Sequence, residues 1–139
     1  MTTAPGIDRL IERSTNLFIA IQNAYELREF LKLVRSLRPR TVVEIGTARG
    51  GMLYCLSQLA ERDALLVSID LPGAPNCGGQ TEVEREVFAS FGPRTQRFRF
   101  LPSDSHDEAT KRSLEELLAG TPIDLLFVDG DHSYQGVKK

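Results

Sequence analysis

Residues 42–51, Val-Val-Glu-Ile-Gly-Thr-Ala-Arg-Gly-Gly, bring an apolar run, an acid and a glycine-rich turn into one short stretch. The run reads as a buried strand entering the turn. Asp70 closes a second apolar run, Leu65 to Ile69, roughly 20 residues further on, the spacing of a nucleoside-binding βαβ unit. A carboxylate there can accept hydrogen bonds from both hydroxyls of a ribose. Dinucleotide sites use G-x-G-x-x-G, whose middle glycine lets the backbone approach a pyrophosphate. Here Ala48 takes the middle position between Gly46 and Gly50. Glu44 adds a carboxylate at the strand end, which repels a pyrophosphate and favours a cationic ligand. The same residues also suit a strand–turn–helix whose glycines serve only close packing.

Two further clusters carry chemical groups. In Leu101-Pro-Ser-Asp-Ser-His-Asp107, Asp104 can accept a hydrogen bond from an adenine amino group, or stand as a solvated loop acid. Ser105 and Glu108 fit a capping box that opens a helix, with His106 and Asp107 in its first turn. In Phe127-Val-Asp-Gly-Asp-His-Ser-Tyr134, Asp129 and Asp131 can share a hard cation such as Mg²⁺. His132 can serve as a general base on a hydroxyl. A polar turn in which Asp131 or Ser133 caps the next helix explains the same residues, and for Ser133 it suffices. Tyr134 reads as a packing residue.

The elements that must hold these groups follow from periodicity. Two amphipathic helices come first. Leu10, Ile11, Leu17, Phe18 and Ile21 share a face of one, and Leu27, Phe30, Leu31 and Val34 a face of the other. Asn23 and Glu26 look like a capping box for the second, and Pro39 ends it. Strands are then expected at Thr41–Ile45, Leu65–Ile69, Arg97–Leu101 and Asp124–Val128. Helices are expected near 50–61, 81–91 and 106–119. This alternation predicts a parallel sheet with helices on both faces. The glycine- and proline-rich connection from Leu71 to Gln80 follows Asp70, so it should border a ligand at the strand ends. A plain surface connection is the alternative.

A chain of 139 residues suits one modest core, read as a helical segment over 1–38 and a nucleoside-binding unit over 39–139. A net charge of −2 gives no electrostatic case for nucleic acid or an anionic membrane. No apolar run approaches the roughly 18 residues of a membrane span. Two cysteines are too few for a disulfide framework. Cys55 falls on an apolar helix face, and Cys77 lies in the glycine-rich connection. Cytoplasm is the expected compartment.

Together, Glu44-Ile-Gly-Thr-Ala-Arg-Gly-Gly, Ser68-Ile-Asp-Leu-Pro-Gly73, Ser103-Asp-Ser-His-Asp107 and Phe127-Val-Asp-Gly-Asp-His-Ser-Tyr134 resemble the class I S-adenosylmethionine-dependent methyltransferases. The likeness is to the group that includes the cephalosporin-hydroxylase-like and catechol-type O-methyltransferases. The resemblance implies a Rossmann-like fold, strand order 3-2-1-4, with S-adenosylmethionine across the strand ends. By the same resemblance Glu44, Gly46, Thr47, Ala48, Gly50 and Gly51 would hold the methionine part. Asp70, followed by Leu71, would take the ribose, and Asp104 with Ser105 the adenine. Asp129 would touch the cofactor and match the first metal-binding carboxylate of the metal-dependent members, with Asp129 and His132 the catalytic candidates. O-methylation of a small hydroxylated molecule is then expected, with Mg²⁺ assistance open. A module that binds the cofactor without turnover, and a nicotinamide oxidoreductase, are the alternatives. A full class I fold has more strands than are read here, so a truncated chain is expected, inactive alone and able to dimerise through an exposed fourth strand.

Overall fold

The computed structural model describes residues 6–18, 23–73, 80–130 and 133–138. Cys77, Asp131, His132 and Ile21 lie outside the described residues. Two helices lead, α1 (Ile7–Phe18) and α2 (Ala24–Leu37). Four strands then alternate with helices: β1 (Thr41–Ile45), α3 (Gly51–Leu59), β2 (Leu65–Asp70), α4 (Glu82–Ala89), β3 (Arg97–Pro102), α5 (Glu108–Leu118), β4 (Leu125–Val128) and α6 (Tyr134–Lys138). The strands form one parallel sheet in the order β3-β2-β1-β4. The α/β class and the strand order match the sequence reading.

Side-chain alternation along the central strands divides the core into two layers. Val42 and Leu66 face a cluster with Leu10 of α1, Leu27, Leu31 and Val34 of α2, and Leu53 and Leu56 of α3. Val43, Leu65, Val67 and Ile69 face the other side, where Leu114, Leu117 and Leu118 of α5 pack on them. Cys55 is buried in the first layer, and burial pushes its thiol up to about 11. It is a packing residue and not a nucleophile.

Local signals set the element ends. Asn23 caps α2, its side chain accepting the N–H of Tyr25 at 2.9 Å rather than that of Glu26. Thr81 and Glu84 form a capping box at the start of α4 that the sequence reading missed. Asp124 accepts the N–H groups of Arg40 at 2.8 Å and Thr41 at 3.0 Å, which ties the start of β4 to the start of β1. Two expectations need correction. Asp107, not Ser105, is the N-cap of α5, so His106 and Asp107 precede the helix. The carboxylate of Asp104 accepts the backbone N–H of His106 at 2.9 Å, and this local turn delays the helix start. Tyr134 is 75% exposed and is not a core residue. Ser133 does cap, its Oγ accepting the N–H of Gly136 at 3.0 Å. Among the described residues, no helix is long and apolar enough to cross a membrane.

Candidate functional site

Every chemically interesting segment emerges at the carboxyl end of a strand: the glycine turn after β1, Asp70 and Leu71 after β2, residues 103–106 after β3, and Asp129 after β4. A parallel sheet brings such ends to one edge, where adjoining connections leave a crevice. A cavity of about 310 Å³ lies there, lined by Ile45, Gly46, Ala48, Ile69, Asp70, Leu71, Ser103–His106, Asp129 and Gly130. Of the residues singled out in the sequence, Gly46, Ala48, Asp70, Leu71, Asp104, Ser105 and Asp129 meet in it. Glu44, Thr47, Gly50 and Gly51 are not among its lining residues.

Asp70 is pre-oriented. One carboxylate oxygen accepts the N–H of Ala48 at 2.9 Å and the other the N–H of Leu71 at 3.0 Å. Each oxygen keeps a further lone-pair site, so the carboxylate can still accept from two neighbouring hydroxyls. Burial raises its pKa against the lowering effect of the two N–H groups, and the charge of Glu84 raises it further. Asp104 is organised in a similar way by His106, whose backbone N–H and ring Nδ1 both reach Oδ1, at 2.9 and 3.1 Å. The other ring nitrogen of His106 lies 2.9 Å from the carbonyl of Gly136. His106 therefore links the connection after β3 to α6, a role for which the sequence held no signal beyond its place beside Asp104.

The glycines answer to packing. A Cβ on Gly46, at φ +89°, would fall 2.6 Å from the carbonyl carbon of Asp129, where the ends of β1 and β4 converge. A Cβ on Gly50, at φ +86°, would fall 2.5 Å from the Phe88 ring of α4. Ala48 also sits in the left-handed region, at φ +49°, and this conformation turns its N–H to Asp70.

Glu44 departs from its expected electrostatic role. It is fully buried in β1, and burial pushes its pKa up to about 8; the Thr47 hydrogen bond opposes this, and the charges of Asp70 and Asp129 add to it. At neutral pH it is mostly protonated, so its charge does little to repel a pyrophosphate. Its Oε2 accepts from Thr47 at 2.8 Å, and Thr47 lies 2.5 Å from the hydroxyl of Ser68. Gln80, 2% exposed, reaches the same Ser68 hydroxyl. This buried polar chain was missed, although a serine inside an otherwise apolar strand was a signal for it. The acidity of the cavity comes instead from Asp70, Asp104 and Asp129. Among the described residues, no three of His, Cys, Asp and Glu gather where a metal ion could sit. Asp131, which the sequence pairs with Asp129 for a hard cation, lies outside the described residues.

Comparison with known proteins now bears on this geometry. Residues 43–139 match a family described as a methyltransferase domain. The chain belongs to this family. The methyltransferase domain is similar to an uncharacterized protein of Acanthamoeba polyphaga mimivirus, 38% identical over 98 residues, covering 70% of this chain and 41% of that protein. It is also similar to ribosomal RNA large subunit methyltransferase E of Xylella fastidiosa (strain M12), 32% identical over 108 residues, covering 76% of this chain and 42% of the relative. The chain thus spans about two fifths of the length of these curated relatives. A crystal structure of a Klebsiella pneumoniae protein provisionally named an O-methyltransferase superposes with a TM-score of 0.54 at 23% identity, over 91% of this chain and 55% of that one. That likeness concerns the fold.

Proposed function

We propose that this chain binds S-adenosylmethionine in the cavity at the strand ends and serves methyl transfer, to the hydroxyl of a small molecule. The observation that carries the reading is the lining itself: three aspartates and a histidine, with no lysine or arginine among the described residues. Such a wall offers acceptors and negative charge. It suits a ligand rich in N–H and O–H donors that also carries positive charge, and it opposes a pyrophosphate. S-adenosylmethionine has a ribose diol, an adenine amino group, an ammonium and a sulfonium.

The residues present fit that ligand. Asp70, held by two backbone N–H groups, would accept the ribose hydroxyls. Asp104, in its turn with His106, would accept the adenine amino group beside Ser105. Asp129 and the Gly46–Ala48 segment would face the methionine part. When bound, the cofactor supplies an electrophilic methyl carbon. The protein's contribution is orientation and exclusion of water, through a rigid carboxylate frame and the apolar walls of Ile45, Ile69 and Leu71. No step here calls on a metal.

Ribosomal RNA is a second acceptor class, favoured by the name of the Xylella relatives. Calorimetric titration with S-adenosylhomocysteine and with NAD⁺ tests the cofactor. Binding of the former alone is expected; binding of NAD⁺ without S-adenosylhomocysteine refutes the reading. Methyl transfer assayed on small catechols and alcohols beside ribosomal RNA then separates the acceptors.

A further inference from the structure

Gln80 sits immediately before α4, far in sequence from the glycine turn, yet its side chain ends inside the fold beside that turn. Its Nε2 donates to the Ser68 hydroxyl. The Thr47 hydroxyl lies 2.8 Å from Glu44 Oε2. Thr47 and Ser68 share the 2.5 Å contact between their hydroxyls, and Ser68 accepts from Gln80. The hydrogen bonds therefore run unbroken from Gln80 through Ser68 and Thr47 to Glu44. All four residues are buried.

The backbone points the same way. Gln80 lies at φ +52°, in the left-handed region where glycine is the default. A bulky residue kept in a strained conformation implies that its side chain does something the backbone alone does not. Its carbonyl is also held, by Arg85 Nη1 at 3.0 Å. The same helix reaches the far end of the turn, where Phe88 presses on Gly50. Thr47 and Gly50 are thus both set from the α4 side, and Ala48 lies between them.

We infer that Gln80 is a positioning residue: through Ser68 and Thr47 it fixes the glycine turn so that the Ala48 N–H orients Asp70 for its ligand. The ligand half of this inference rests on the cofactor reading above; the positional half does not. Gln80→Gly removes the amide while relieving the backbone, so the variant keeps its fold. Gln80→Leu removes the amide at similar volume. Gln96→Leu is the control, because Gln96 is a comparable buried anchor, donating to the carbonyls of Ser57 at 2.8 Å and Glu61 at 3.0 Å, outside the cavity.

The test measures amide hydrogen exchange by NMR at Ala48 relative to Val43, and S-adenosylhomocysteine affinity by calorimetry. In Gln80→Gly and Gln80→Leu, exchange at Ala48 is expected to rise roughly tenfold relative to Val43, with affinity lowered roughly threefold to tenfold, the scale of one lost hydrogen bond. Gln96→Leu is expected to lower thermal stability and change neither readout. Unchanged relative exchange at Ala48 in both Gln80 variants overturns the inference, as does an equal change in Gln96→Leu. If the unaltered chain fails to bind S-adenosylhomocysteine, the cofactor reading falls, and the exchange comparison still decides the role of Gln80.

Discussion

Replacing Glu44 with Gln should change how stability depends on pH. Glu44 ionises near 4.5 in an unfolded chain and near 8 in the folded one, chiefly because burial penalises the charge. Between those values the folded chain holds a proton that the unfolded chain has released. Stability is therefore highest below pH 4.5 with respect to this group, and falls as pH rises through about 8. At about 1.4 kcal/mol for each pH unit between the two values, the full loss is on the order of 5 kcal/mol. Glu44→Gln keeps the shape and an acceptor for Thr47 but cannot ionise. Urea denaturation of both chains from pH 5 to 8 should show the variant gaining about 3 kcal/mol relative to the parent, with unchanged m-values. Titrating groups that do not interact with Glu44 cancel in that difference. Curves that stay parallel to within about 1 kcal/mol across this range would refute the reasoning.

Three further outcomes follow from the geometry. Asp70→Asn replaces one acceptor oxygen with a donor that confronts a backbone N–H, and should weaken S-adenosylhomocysteine binding roughly tenfold to a hundredfold; calorimetry that finds affinity within about twofold of the parent argues against a ribose role. Gly46→Ala drives a Cβ into the Asp129 carbonyl at a positive φ and should cost roughly 2–4 kcal/mol by urea denaturation, whereas an unchanged midpoint would show that the strand ends have room to part. Leu126 and Val128 are each 52% exposed on the edge strand β4, so the chain should self-associate in sedimentation, and Val128→Lys should abolish this; a parent chain that is monomeric at all concentrations removes the case for pairing through β4.

The sheet was legible because its signals are local. Each strand is a short run, mostly apolar or, in β3, alternating arginine with phenylalanine, and βαβ handedness leaves few ways to join such runs. The positions of Asp70, Asp104 and Asp129 at strand ends followed directly, and the structure gathers them in one cavity. What was not legible depends on contacts between distant segments. Ser105 and Glu108 have capping-box spacing, yet the Asp104–His106 turn moves the helix start to Asp107. Gly46 and Gly50 suited either a ligand or close packing, and the partners that pack on them, Asp129 and Phe88, are distant in sequence. Glu44 shows the same limit in electrostatic form. A carboxylate at a strand end suggests a fixed negative charge, but its charge state depends on burial, which pattern alone does not quantify. With Glu44 largely neutral, the preference for a cationic ligand has to come from the three cavity aspartates. Glu44 instead terminates the hydrogen-bond chain that holds Thr47, and through Thr47 the turn that aims Asp70. The acid that first suggested a cation site thus acts on the site from behind, by geometry more than by charge.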